Sequence, residues 1–347
     1  MHSLTRRSFL GAALASTATL LAACGSTVAP AGGQAATSAN SATSSSAGQA
    51  AKLMPIATGY TTNGLVNTPL WVAKERGFFT QNGLDVTLKS LVANAELPAL
   101  IAGELQFDGS GAAAVVAADL EGASIVLIAA ASDYPIYSLY ANKKFGAVQD
   151  LAGQTIGVTA LGSTGEAVAR LFLRHYNLED KVKIAAAGGS SESILAAMTS
   201  GGLAGGVLVP PTTAVAADQG FVELVNGVTL AVPMNHSGVE VTRAYLKDHS
   251  AEVKSFLKAY ALAWTYCADP ANKPEMLKII GQYGKADARA SELGYQSIVQ
   301  VWQRKKVPTI DPESVANVIQ FLQNPKAKTA KPADFIDNSL LEAAVQG

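Results

Sequence analysis

From Leu53 onward the chain alternates short apolar runs with stretches of helical period. The runs "LMPIATG", "LDVTLKSL", "LQFDG" and "SIVLIAAAS" read as strands at 53–59, 84–91, 105–109 and 124–132, with helices predicted between them at 69–76, 95–102 and 112–121. A second series repeats the order, with strands "TIGVTA", "VKIAA", "GGVLVP" and "FVELV" and helices starting near 164, 191 and 212. This alternation predicts an α/β fold. The two series overlay without a gap in their latter halves. Gly59 and Gly157, Gly103 and Gly201, Leu105 and Leu203, and Gly122 and Gly220 are each 98 residues apart. Matching element order at a fixed offset points to an internal duplication and two similar α/β lobes.

The stretch "NTPLWVAKERGFF" at 67–79 carries its own boundaries. Thr68 is expected to cap a short helix, Pro69 fits its first position because no donor is lost there, and Gly77 can supply a left-handed exit. "NG" at 82–83 then turns the chain into a strand whose Leu84, Val86 and Leu88 share one face. In open α/β sheets, helix starts reached from strand ends ring a crevice where ligands bind. The free N–H groups of this helix are therefore expected to face a ligand cleft.

Residues 1–23 read as processing information rather than fold: "TRRSFLG" is a positive leader, 9–22 an apolar run, and "LAAC" ends in small residues before Cys24. The run is short and rich in Ala and Thr for a membrane span, and no later segment offers 18 apolar residues free of charge. Residues 24–51 form a linker of Gly, Ser, Ala and Thr that cannot bury enough apolar surface to order itself. "LAACGS" resembles the bacterial lipobox, which implies cleavage before Cys24 and a diacylglycerol on its sulfur. "TRRSFL" resembles the twin-arginine export signal, with Gly11 where a basic residue often follows; twin-arginine and general export both stay open.

Composition narrows the remaining classes. With 347 residues, 49% hydrophobic and 15% charged, the chain can fill two ordinary cores. A net charge of -1 leaves no basic stripe for nucleic acid. Only Cys24 and Cys267 are present, so no intrachain disulfide is expected. Cys267 shares a helical face with Val253, Phe256, Tyr260 and Trp264 and is expected to be a buried filler.

"PLWVAKERGFFTQNGLDVTL", "LIAGELQFDGSG", "DLAGQTIGV" and "NPKAKTAKPADFIDNSLLEAA" together resemble the solute-binding proteins of the nitrate, sulfonate, taurine and thiamine-precursor group of ABC importers, over residues 53–345. The resemblance implies a type II periplasmic-binding-protein fold, with two α/β lobes joined by two crossovers, one near "YPIYSLYANKK" and one near "VPMNHSGVEVTR". The first lobe would be 52–138 with 237–347 and the second 139–236, with helices after about 250 packing on the first. It further implies a monomer that takes a small-molecule solute, needs no cofactor, and engages a permease and ATPase complex while tethered to the membrane through Cys24. Gln106 and Ala204 stand where the group often carries an acidic residue.

In that fold the cleft is lined by the loops after strands. Here Thr61, Asn63, Asn94, Ser110 and Tyr134 are candidate ligand contacts from the first series. Thr159, Ser163, Thr164, Asn235 and His236 are candidates from the second series and the return crossover. Each has a plainer role beside it: "GSTGE" at 162–166 fits a capping box of Ser163 and Glu166, Ser110 a tight turn, Asn235 and His236 a hinge latch, and Asp133 a turn residue. The loops hold no Arg or Lys and one carboxylate, Asp133, so a strongly charged ligand would lack a countercharge. A neutral polar or aromatic molecule and a small anion held by hydroxyls and helix starts both remain.

An enzyme is not expected, since the sequence has no H-E-x-x-H, C-x-x-C or G-x-S-x-G motif and no His and carboxylate cluster spaced for a metal. Two alternatives stand beside the receptor: an enzyme on the same fold related to thiamine-pyrimidine synthesis, whose cysteine-rich segment is missing here, and the sensing partner of a signalling protein.

Overall fold

The computed structural model of the chain describes residues 52–61, 64–91, 95–161, 163–322 and 324–346. The first series forms β1 (Met54–Thr61), α1 (Thr68–Glu75), α2 (Phe78–Gln81), β2 (Leu84–Leu91), α3 (Glu96–Ile101), α4 (Ala112–Leu120) and β3 (Ile125–Ser132). The second forms β4 (Ser138–Ala141), β5 (Thr155–Val158), α5 (Thr164–His175), β6 (Lys183–Ala186), α6 (Ser191–Thr199), β7 (Gly205–Leu208), α7 (Thr212–Asp218) and β8 (Val222–Asn226). After α8 (Gly227–Leu230) and β9 (Ser237–Thr242) the chain is helical: α9 (Arg243–Asp248), α10 (Ser250–Ala268), α11 (Lys273–Gly284), α12 (Ala288–Arg304), α13 (Pro312–Ile319) and α14 (Ser339–Val345).

β1 pairs with β2 in parallel, and β3 with β9 antiparallel. The remaining strands form one sheet in the order β6-β5-β7-β4-β8, in which β5 is parallel to both neighbours and β4 antiparallel to both. The predicted strand at 105–109 shrinks to two bridges, Thr58 with Phe107 and Asp108 with Glu240. The cause is local: the Gln106 side chain, not a backbone carbonyl, accepts from Ala57 N–H at 2.8 Å, and Gly109 follows at once. These bridges still connect β1 to β9 and so to β3.

The duplication is visible atom by atom. Gly103 and Gly201 leave their helices at φ of 79° and 78°, and Gly122 and Gly220 at 97° and 84°, a region that favours glycine. A Cβ on Gly59 would come within 2.6 Å of Leu105 Cδ1, and one on Gly157 within 2.5 Å of Leu203 Cδ1. The same leucine thus presses on the same bare strand position in both copies.

The opening helix differs from expectation at its start. Asn67, not Thr68, is the N-cap; it makes no side-chain capping bond, and Thr68 is the first helical residue with its hydroxyl donating to Leu65 O. Gly77 supplies the left-handed exit at φ 69°. Trp71, Phe79, Phe107 and Phe256 are fully buried in the core over which α10 lies, with Phe107 and Phe256 stacked at 3.9 Å. Cys267 is buried on α10 beside this core, as its spacing predicts. Among the described residues, no helix is long and apolar enough to cross a membrane.

Candidate functional site

Two connections run between the β3–β9 pair and the five-stranded sheet: residues 133–137 lead from β3 to β4, and 227–236, which include α8, lead from β8 back to β9. They meet where Tyr137, at the end of the first, packs edge-on against His236, at the end of the second, with ring centroids 5.4 Å apart. On one side of this pair lies the glycine-rich turn 109–111. Ser237 Oγ donates to Gly109 O at 3.0 Å, and a Cβ on Gly111 would collide with His236 O at 2.5 Å, so the turn lies flat on the return connection. On the other side lies the start of α5. A Cβ on Gly165 would sit 3.5 Å from Ser163 Oγ and Thr159 Oγ1 and 3.9 Å from Tyr137 Cε1. Ser110, His236, Tyr137, Thr159 and Ser163 therefore lie at neighbouring positions around this crossing.

The hydroxyls at α5 are locally committed. Thr159 Oγ1 donates to Ser163 Oγ at 3.2 Å, and Ser163 Oγ donates to Ala160 O at 2.6 Å. Ser163 also accepts from Glu166 N–H at 3.3 Å, the expected N-cap bond, while the Glu166 carboxylate takes two bonds from Arg170. Thr164 opens the helix beside them.

The turn at 109–111 rests on carboxylates. Ser110 Oγ donates to Asp108 Oδ2, and Ser110 N–H donates to Glu240 Oε2 at 3.1 Å. Asp108 and Glu240 are fully buried and Glu96, in the first turn of α3, nearly so. Burial pushes the Asp108 carboxyl up to about 6, with Glu96 adding, and the Glu240 carboxyl well above its usual range, with Asp108 and Glu96 adding. Burial lowers His236 to about 4, so its ring is neutral at physiological pH, and its Nδ1 has no partner among the described residues.

Two candidates turn out to be fastened into the frame. Asn235 is 2% exposed; its Oδ1 accepts from Ala112 N–H at 2.9 Å, capping α4, and its Nδ2 donates to Asp133 Oδ1 at 3.1 Å. Each amide end thus makes a bond within the frame, as a hinge latch would. Tyr134 has the Arg304 guanidinium 4.7 Å from its ring centre, over one of its two faces. Asp133 is no exposed turn residue but a buried hub, paired with Lys305. Thr61 is the last residue of β1, and Asn63, Asn94 and Cys24 lie outside the described residues.

Sequence reasoning missed Tyr137, Asp108 and Glu240. Tyr137 stood in the quoted crossover among three tyrosines with nothing to single it out. Glu240 left a signal: a carboxylate between Val239 and Val241, on a strand buried on both faces. Among the described residues no group of three or more His, Cys, Asp or Glu is placed to hold a metal ion.

The family model described as NMT1/THI5 like matches residues 66–273, more than half of the chain. The chain belongs to this family. Its fold is the type II periplasmic-binding-protein fold. The NMT1/THI5-like chain is similar to the periplasmic aliphatic sulphonate binding protein SsuA of Escherichia coli, at 17% identity and TM-score 0.63, covering 82% of this chain and 91% of that one. It is similar as well to the periplasmic nitrate-binding protein NrtA of Synechocystis PCC 6803, at 13% identity and TM-score 0.62, covering 85% and 89%. A third likeness is to the desulfurization enzyme DSZB, at 15% and 0.62, covering 83% and 99%. No curated protein matches the chain in sequence. Likeness at these identities fixes the fold of this family member and leaves its ligand to be argued from the site.

Proposed function

We propose that the protein is a lipid-anchored, extracytoplasmic receptor that binds a small solute and delivers it to an ABC importer. The observation that carries this reading is the joining of Ser110, His236, Tyr137, Thr159 and Ser163 at the crossing of the two connections, in a chain of the NMT1/THI5-like family. Residues 52–138 with 237–347 would form one lobe and 139–236 the other. The crossing is the place where a hinge movement closes the lobes on a ligand and presents a changed surface to the permease. Sulphonate and nitrate binding by fold relatives supports a small-molecule cargo.

The fold likeness to DSZB keeps an enzyme in view. Cys267, however, is buried in the core with its thiol held well above the usual range, which disfavours the nucleophilic thiolate. The receptor is the reading that the polar, uncharged surface around Tyr137 favours.

Trp71, Trp264 and Trp302 are buried, so intrinsic fluorescence reports unfolding of the full chain in detergent. A cargo at a hundredfold excess over its Kd is expected to raise the unfolding free energy by about 2.7 kcal/mol. No saturable shift with any small solute, on folded protein, would count against the receptor. Export and anchoring rest on the leader and on Cys24. Cys24→Ala is expected to move the protein from the membrane to the soluble fraction, and unchanged membrane retention on fractionation would remove the lipid anchor from the proposal.

A further inference from the structure

The two copies of the fold differ at one buried place. Asp108 and Glu240 stand directly opposite each other, exchanging both backbone N–H bonds at 3.1 Å, so their side chains leave the same face of the sheet, and Glu96 of α3 bears on the pair. At the 98-residue offset Glu96 corresponds to Ile194 and Asp108 to Gly206, and the residue opposite Gly206 is Tyr140 rather than a glutamate. In the second copy these positions are apolar and close-packed. A Cβ on Gly206 would collide with Ile194 Cγ2, and Ile194 and Tyr140 share one hydrophobic cluster. The fold therefore has no structural need of carboxylates here. Burying three like groups costs stability, and departing from an apolar solution that the same chain already uses marks a function.

The cluster is short of hydrogens. Asp108 Oδ1, Glu240 Oε1 and Glu96 Oε1 are buried with no partner among the described residues. The charges that act on Asp108 and Glu240 are those of the other carboxylates, not of a Lys or Arg. A group from another element marks the same spot. Asn67 is 1% exposed with both amide atoms unpartnered among the described residues, and its Oδ1 lies 2.5 Å from where a Cβ would stand on Gly109. What three such carboxyls lack is a proton that one can donate to another. What they hold is the cleft-side turn, since the Ser110 hydroxyl donates to Asp108 and the Ser110 N–H to Glu240.

We propose that Asp108, Glu240 and Glu96 form a proton-binding site that fastens the Ser110 turn, so that the turn is held while the proton is bound and loosened when it leaves. With the proton in place, one carboxyl donates to the free oxygen of another and both acceptors for Ser110 stay where they are. Without it, like charges face each other in a dry site and are relieved by water entering and the turn lifting. Asp108, raised by burial from 3.8 to about 6, gives a hold that is complete below pH 3.8 and lost as pH passes about 6, and Glu240 extends the loss to higher pH. The neighbouring elements bring other titratable groups that are separately engaged. Asp119 of α4 accepts from the Ile125 N–H and pairs with Arg243, Tyr60 of β1 lies edge-on to Trp71, and Tyr260 of α10 donates to Ala130 O. His236, against Gly111, takes up a proton only near 4. Under the receptor reading the first-lobe wall of the cleft is firmer in acid; the proton site itself does not depend on that reading.

The test is hydrogen exchange at the Ser110 N–H of the full chain in detergent, expressed as protection over the unfolded chain, with infrared spectra of the carboxyl C=O stretch alongside. No cargo enters either measurement. Protection is expected to fall by at least about a hundredfold between about pH 4 and about pH 7, the factor set by the rise of Asp108 from 3.8 to about 6. Asp108→Asn should remove about a hundredfold of that fall, and Asp108→Asn with Glu240→Gln the whole of it. The wild-type spectrum at about pH 7 should show the band of a protonated carboxyl that Glu240→Gln removes, and this decides if the double variant folds poorly. Equal protection across the range, or no such band in the wild type, overturns the proposal. Loss of the band on adding sodium or calcium at fixed pH would make the occupant a metal cation and overturn it too.

Discussion

Asp133→Ala is expected to lower the unfolding free energy by about 3–5 kcal/mol, the range for removing one partner of a buried ion pair. Asp133 is 3% exposed and accepts four bonds: from Asn235 Nδ2 at 3.1 Å, Ser314 Oγ at 2.9 Å, Asp311 N–H at 3.1 Å and the Lys305 ammonium. Without it, Lys305 keeps Thr309 O at 3.0 Å as its one acceptor among the described residues, and its side chain is three-quarters buried. That partial exposure lets water reach the ammonium and sets the expectation at the lower end of the range. The hub also binds both connections to the α13 start, since Met234 N–H donates to Asp133 O and Asn235 N–H to Ser314 O. The loss should appear in urea unfolding as a lower midpoint at unchanged slope. A loss below about 1 kcal/mol would mean that the hub is replaced by water without penalty.

The contrast between Asp133 and the strands shows what a sequence read alone can reach. β3 and β9 carry runs of apolar residues bounded by polar ones, and the 98-residue offset of Gly59, Gly103 and Gly122 encodes a packing requirement at single positions; both are local signals. Asp133 looked like a turn residue because Ser314 and Lys305, which bury it, are 181 and 172 positions away. The same distance effect hid the bond by which Asn235 caps α4 and the placing of Arg304 over one face of Tyr134. Glycine turns and hydroxyls at helix starts are written locally, so Ser110, Thr159 and Ser163 could be named in advance. The direction in which each donates depends on Asp108, Glu240 and Ala160, and only the folded chain displays it.

The contribution of Asp108 to stability is expected to fall as pH rises through its titration, opposite to the usual behaviour of a paired surface carboxylate. Burial, with Glu96 adding, raises Asp108 from 3.8 to about 6. The native state therefore holds the proton more tightly than the unfolded chain. The stabilisation is complete below pH 3.8 and is lost as pH passes about 6. A shift of this size corresponds to about 3 kcal/mol in all, of which about 2 kcal/mol should be lost between pH 4 and pH 7. Glu240 acts in the same sense at higher pH, because burial and Asp108 hold it protonated well above its usual range. His236, lowered from 6.5 to about 4 by burial, pulls the other way over much of the same window with a similar magnitude, and Glu121, Glu179, Glu192, Glu275 and Glu292 pull that way too but lie near the surface, where water screens them. Asp108→Asn separates the two groups: asparagine keeps an acceptor for the Ser110 hydroxyl and cannot ionise. Urea unfolding of the two proteins should coincide near pH 4 and diverge by about 2 kcal/mol at pH 7, with the variant the more stable. Parallel curves across that window would mean that Asp108 ionises in the folded chain as freely as in the unfolded one, and that burial does not hold its proton.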